Sequence, residues 1–279
     1  MQLGTFLPTS TPDPEHPILG DVRAAARFAE EVGLDSVWST DHLVASAPIL
    51  DSTVTLATAA AVTERIRIGY GVLLLALRPA AWAAKQIGAL QYVSGDRVIL
   101  GIGTGNPAHG DTGWRAAGAS FTDRGRHTDE ALRVLPDLIA GHPTTLPDGT
   151  ELTLSPGAAV PPIIVAGNGP RAMRRAAEFA SSWLAIGVSP DESTTAAKQL
   201  AEFADRYQRS APTVSVVATL PDDLTQARDL VSAYAEAGVE HLIAPPRDAD
   251  WHAGYEFAGK VKDVLPHQPG TAESAPSHR

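Results

Sequence analysis

Short apolar runs rich in Val, Ile and Leu alternate along this chain with longer segments whose apolar residues recur at helical spacing, and that rhythm restricts the architecture more than any single residue does. Such an alternation builds a parallel sheet whose strands are joined by crossover helices. The apolar runs predict strands near 2–7, 36–40, 66–74, 97–102, 162–166, 183–187, 213–218 and 240–244. Helices are expected between and after them, near 18–32, 51–63, 79–93, 122–140, 170–180, 190–208, 223–237 and 252–264. Eight strands and eight helices imply a (β/α)8 TIM barrel, with residues 1–265 as one domain. Nearly continuous apolar strands such as RVILGIG and PPIIVAG suit a parallel sheet covered on both faces. In the first helix Val22, Ala25, Ala26, Ala29 and Val32 share one stripe between Asp21 and Gly33. Two segments break the pattern. Pro136 lies inside the fourth helix and is expected to kink or split it. The stretch TTLPDGTELTLS, Thr144 to Ser155, has the Asp-Gly turn of an inserted hairpin. The polar tail after Pro266 is expected to be disordered.

Composition narrows the chemistry. A chain of 279 residues that is 44% hydrophobic is long enough for one large core. It has no charged-then-apolar leader and no run of about 18 apolar residues, so a soluble, cytoplasmic protein is expected. The absence of cysteine removes disulfides, thiolate zinc sites and cysteine nucleophiles. A formal charge of −10, from 32 acids against 22 bases, argues against nucleic acid as a partner, because phosphate binding needs a basic face.

In a (β/α)8 barrel the chemistry sits at the C-terminal ends of the strands. The stretch DSVWSTDHL ends its strand on Asp41 and His42, which places an acid and an imidazole at that mouth. The plainer alternative is a polar loop that caps the next helix. Gly69 and Gly71 interrupt the third strand, where glycine weakens a strand unless the backbone bends or something approaches closely. The fourth strand runs into GIGTGNPAHG, which has the spacing of neither a phosphate loop nor a dinucleotide fingerprint, and which brings Asn106 and His109 to the mouth as candidate site residues or simple loop formers. In VAGNGPRAMRRAAEF, Pro170 suits a first helical position behind Gly167 and Gly169. The helix start then offers unpaired N–H groups and a positive dipole end, a ready anion site. Arg171, Arg174 and Arg175 place positive charge where the dipole disfavours it, as expected beside an anion or of arginines that are simply solvated.

Several of these stretches together resemble one family. EVGLDSVWSTDHL, TERIRIGYGVLLLALRP, SGDRVILGIGTGN, FTDRGRHTDEALRVL and PPIIVAGNGPRAMRRAAEFASSW are similar, in order and over most of residues 1 to 187, to the bacterial luciferase-like flavin and deazaflavin oxidoreductases. The resemblance implies a TIM barrel that binds FMN or coenzyme F420 at its mouth. Position by position, it makes Asp41 and His42 the acid and histidine beside the reactive ring. Gly71, Val72 and Leu73 match a bulge with a non-prolyl cis peptide behind the ring. Thr104, Gly105 and Asn106 match a loop along the cofactor. Ala166, Gly167, Asn168 and Gly169, with Arg171 after them, match the cradle of the cofactor phosphate. The chain departs from the family pattern at Ser181-Ser182, where an acid-glycine pair is usual, and at Asn106, where some deazaflavin members have glutamate.

The expected function is hydride transfer between coenzyme F420 and a small organic substrate, with His42 as general acid or base and Asp41 orienting it or bonding the ring. The alternatives are an FMN-dependent monooxygenase and a noncatalytic ligand-binding barrel. A metal-dependent barrel hydrolase is disfavoured, because GTFLPTSTPDP after the first strand lacks a His-x-His pair and the first histidine is His16. No metal is expected. A homodimer is expected, without nucleic acid or membrane partners. Substrate selection is assigned to loops 8–17, 43–50 and 105–120.

Overall fold

The computed structural model describes residues 1–9, 20–45, 47–246 and 250–265. Residues 10–17 of the first predicted specificity loop, with His16, and the predicted tail 266–279 lie outside the described residues.

The strands are β1 (Gln2–Phe6), β2 (Ser36–Ser39), β3 (Arg67–Leu74), β4 (Val98–Gly103), β5 (Thr144–Thr145), β6 (Glu151–Leu152), β7 (Ile163–Ala166), β8 (Ser182–Ile186), β9 (Thr213–Val217) and β10 (Val239–Ala244). All but β5 and β6 pair in parallel and close into a barrel of order β1-β10-β9-β8-β7-β4-β3-β2. Around it lie α1 (Val22–Glu31), α2 (Ser52–Ala60), α3 (Ala80–Ser94), α4 (Thr112–Ala116), α5 (Arg124–Ala140), α6 (Pro170–Phe179), α7 (Pro190–Arg206), α8 (Leu224–Glu236) and α9 (Trp251–Asp263). The (β/α)8 barrel read from the sequence is therefore the observed fold. The antiparallel pair β5–β6 is the expected hairpin, with Gly149 at φ +86° in its turn. Short helical turns at Leu75–Leu77 and Pro107–His109, and α4, are additions that the apolar rhythm did not show.

Pro136 does not split α5, which runs unbroken to its αL C-cap Gly141. The lost N–H is outweighed by packing, since Leu132, Leu135, Leu138 and Ile139 are all buried on one face of that helix. Elsewhere small residues let the helices lie close on the sheet. Ala25, Ala26 and Ala29 are fully buried on α1, whose N-cap Asp21 accepts from the N–H groups of Arg23 and Ala24.

The family-like stretch TERIRIG … SGDR serves the end of the barrel opposite the mouth. Glu30 accepts hydrogen bonds from the N–H groups of Glu64, Arg65 and Ile66. Arg97 donates to the carbonyls of Ala60, Thr63, Ile66 and Ser94 and to the Thr63 hydroxyl. One arginine thus satisfies the carbonyls left open where α2 ends. This is a stability device, in keeping with its face of the barrel.

The barrel interior is mainly apolar, with Trp38, Ile99, Ile164, Leu184 and Ile243 buried inside it. One polar chain crosses it. Trp38 Nε1 donates to Ser36 Oγ at 2.7 Å, and Ser36 Oγ lies 2.8 Å from His241 Nε2. The indole can only donate, so the Ser36 oxygen accepts from it and the hydroxyl proton is free to go to His241 Nε2 in the tautomer that leaves that nitrogen bare. Burial holds His241 neutral by pushing it down to about 4. The unfolded chain binds this proton near pH 6.5, whereas the folded chain resists it until about pH 4. Stability is therefore lost as pH falls through that window, by about 3 kcal/mol for this group. Denaturant unfolding between pH 7 and pH 4.5 should show that loss, and His241→Gln should flatten it. Equal pH slopes in the two proteins would contradict the assignment.

Candidate active site

β2 delivers Asp41 and His42 to the mouth, and their side chains have different environments. Asp41 is 3% exposed, and its two carboxylate oxygens accept four hydrogen bonds. Arg78 binds it in bidentate fashion at 2.9 and 3.1 Å, the Leu74 N–H donates at 2.9 Å and the Ser52 hydroxyl at 3.2 Å. The carboxylate thus joins the end of β2 to the exit of β3 and the first residue of α2. With both oxygens engaged, Asp41 acts by positioning the residues around it.

His42 is half-buried and lines a cleft with Leu74, Leu77, Asn106, His109 and Trp114. Its ring meets that of His109 edge to face, with centroids 4.7 Å apart. Burial lowers the pKa of His42, His109 lowers it further, and Asp41 opposes both. His42 is thereby held in the neutral form, as a general base requires.

Next to this pair β3 carries the expected bulge. The Gly71–Val72 peptide is cis, and the register with β4 shifts between Tyr70 and Leu73. Gly101 and Gly103 of β4 make the seat for this bulge, because a Cβ at 101 would overlap the Tyr70 carbonyl oxygen and one at 103 would overlap the Val72 side chain. The first part of GIGTGNPAHG is therefore strand and not loop. In the loop itself Asn106 accepts from the Ala108 N–H at 3.0 Å, capping the turn Pro107–His109, while Thr104 and Gly105 lie between strand and turn.

Across the mouth, the β7–α6 turn is held by hydrogen bonds from its own asparagine and from β8. Asn168 pairs with both backbone groups of Ile186, donating to its carbonyl at 2.7 Å and accepting from its N–H at 2.9 Å. That side chain pins the turn to the end of β8. Trp183 Nε1 donates to the Gly167 carbonyl at 2.8 Å and steadies the same turn from β8.

The start of α5 stands opposite, and the two helix ends border a cleft of about 650 Å³ lined by Thr104, Arg124, Ala166, Gly167, Gly169 and Arg171 among others. Arg175 does not join the expected basic cluster. Its guanidinium turns toward α5, where it binds Asp129 and the Gly125 carbonyl. Arg126 and Arg133 pair with Glu130 and Glu178. Among the described residues no carboxylate pairs with Arg124 or Arg171. Arg124 lies over the Phe121 ring at 4.0 Å, and its Nε is buried without a partner. An orphaned guanidinium nitrogen, two helix N-termini and an open glycine turn fit a phosphate-bearing cofactor.

Arg124 and Trp114 are the residues lining these clefts that sequence reading missed. Arg124 carried a usable signal, since an arginine opening a helix is as anomalous as Arg171.

The chain is a TIM barrel with a buried acid, an imidazole and a bulged strand at its mouth, facing an open glycine turn between two helix starts. The family model described as luciferase-like monooxygenase matches residues 1–274, and the chain belongs to that family. The 5,10-methylenetetrahydromethanopterin reductase of Methanolobus tindarius is 29% identical over 261 residues, 89% of this chain and 77% of that protein. An F420-dependent secondary alcohol dehydrogenase, solved with an F420-acetone adduct, superposes with a TM-score of 0.80 at 18% identity, covering 95% of this chain and 99% of that one. A monooxygenase from Streptomyces bottropensis superposes with a TM-score of 0.77 at 16% identity, covering 96% and 99%. No described helix is long and apolar enough to cross a membrane.

The two polar residues after β2 separate in experiment. Asp41→Asn weakens a buried, bidentate ion pair and should lower the unfolding free energy by about 3 kcal/mol. His42→Ala, at a half-buried position in the cleft, should change it by about 1 kcal/mol or less. Matched losses in urea unfolding would refute this division of labour.

Proposed function

We propose that the protein is a coenzyme F420-dependent oxidoreductase that exchanges a hydride and a proton with a small, uncharged, largely apolar substrate. The observation that carries this reading is the meeting, at one barrel mouth, of a neutral imidazole, a cis bulge and an anion cradle. The reductase relative and the F420-dependent neighbour support the deazaflavin over FMN.

When bound, the deazaflavin ring supplies two-electron hydride transfer. The cradle Gly167-Asn168-Gly169, with Arg124 and Arg171, holds the phosphate. Gly71, Val72 and Leu73 of the bulge, with Thr104, Gly105 and Ala166, would hold the ring. His42 holds or accepts the substrate proton as its neighbouring carbon changes oxidation state. Asp41, fixed by Arg78, keeps the His42 backbone in place. Leu43, Val44, Leu74, Leu77 and Trp114 make an apolar wall around the imidazoles, and no Asp, Glu, Lys or Arg lines this cleft among the described residues. A charged substrate would lose its hydration there without a partner.

Titration of the protein with each cofactor, read by ring fluorescence, tests the assignment. Coenzyme F420 should bind, and Gly169→Val should weaken that binding at least tenfold while leaving the melting temperature in place. The backbone at 169 is extended (φ −87°, ψ 159°) and a Cβ there meets nothing within 4 Å, so valine fits the fold and intrudes only on what lies over the turn. His42→Ala should retain the affinity and lose about a hundredfold or more in turnover. Tight FMN binding with no coenzyme F420 binding would move the function to a monooxygenase.

A further inference from the structure

We propose that His109 is a positioning residue for His42, its ring held edge to face against that imidazole and acting on it through charge as well as contact. This rests on the functional reading above and deepens it by saying how the base is kept ready.

Three features of the fold bring the rings together. First, the turn Pro107–His109 is organised by its own sequence: Asn106 caps it through the Ala108 N–H, Pro107 opens it, the His109 N–H donates to the Asn106 carbonyl at 3.2 Å, and Gly110 at φ +68° ends it. Asn106 therefore aims His109 and does not itself supply an acid. Second, the loop after β2 and the start of α4 press on each other, since a Cβ at Gly113 would come within 3.1 Å of the Val44 backbone nitrogen. The spacing between the two histidine-bearing segments is thus set by backbone packing. Third, the rings sit edge to face at 64°, an arrangement that fixes the plane of His42 as well as its distance.

The charged and titratable groups around His42 then determine its state. His109 faces it from the loop after β4. Asp41 precedes it in its own loop, and Arg78, from the exit of β3, is bound to that carboxylate. The remaining wall, Leu43, Val44, Leu74, Leu77 and Trp114, is uncharged. Two imidazolium ions side by side in a partly apolar cleft repel each other, so the doubly protonated pair is disfavoured, and burial adds to this at His42. In substrate oxidation the C–H bond breaks with its electron pair leaving as hydride to the ring cofactor, and the proton of the substrate's O–H or N–H passes to the imidazole nitrogen of His42. In substrate reduction both transfers reverse: His42, protonated from solvent beforehand, gives its proton to the substrate oxygen or nitrogen and is left neutral.

The test follows the His42 imidazole by NMR in selectively labelled, cofactor-free protein, comparing the native chain with His109→Phe. Phenylalanine keeps a ring against His42 and removes the titrating group, so a purely packing role would leave the titration unmoved. In the native protein His42 should titrate below its ordinary value, and in His109→Phe its midpoint should move upward. Oxidative turnover of the variant should fall severalfold below neutral pH and match the native rate near pH 8.5, because only the neutral fraction of the base has changed. An unchanged His42 midpoint in His109→Phe overturns the proposal. Absence of turnover with either cofactor would instead refute the functional reading, and the NMR result would stand apart from it.

Discussion

The buried carboxylate of Asp41 is the junction on which the mouth of this barrel depends. Three segments that are distant in sequence, the end of β2, the exit of β3 and the start of α2, reach it through Arg78, Leu74 and Ser52. A desolvated carboxylate is costly unless every lone pair is used, and here the bidentate arginine and two further donors use them. The position of His42 follows from this, because the residue next to a fixed anchor has little freedom of its own. The bulge of β3 follows too, since Leu74, held by Asp41, closes the strand just after the cis peptide.

The mouth separates two electrostatic tasks. On the α5–α6 side, helix termini and the guanidiniums of Arg124 and Arg171 gather positive potential around a glycine turn. On the β2–β4 side an apolar wall surrounds His42, whose imidazole burial keeps from charging. A ring cofactor with a phosphate spans two such environments naturally, its anion on one side and its reactive face on the other. Keeping them apart also protects the base, because arginines beside His42 would depress its basicity and a carboxylate free to bind it would charge it.

The fold was readable because its signal is local. Apolar strands and helical stripes repeat within short windows, and strand positions such as Ser36–Ser39 and Ile163–Ala166 follow from them directly. The strand ends were equally readable, and Asp41, His42 and the Gly167–Gly169 turn all sit just past them. Roles that depend on distant partners were not. Nothing near Asp41 in sequence announces Arg78, which lies 37 residues away. Gly101 and Gly103 could be placed at the end of a strand, but only the neighbouring bulge explains why they must be glycine. Arg175 looked like part of an anion site until Asp129 on another helix claimed it. Pro136 illustrates the same limit from the other direction, with buried leucines maintaining a helix that local chemistry would interrupt.

The central claim is that this mouth holds a ring cofactor by its phosphate at the β7–α6 turn and presents it to His42. A crystal structure of the protein with coenzyme F420 tests it most directly. Phosphate density over Gly167–Gly169 between the starts of α5 and α6, with the ring against Gly71–Val72, is the predicted result. Phosphate density at any other place on the barrel, or a ring turned away from the bulge, would contradict it.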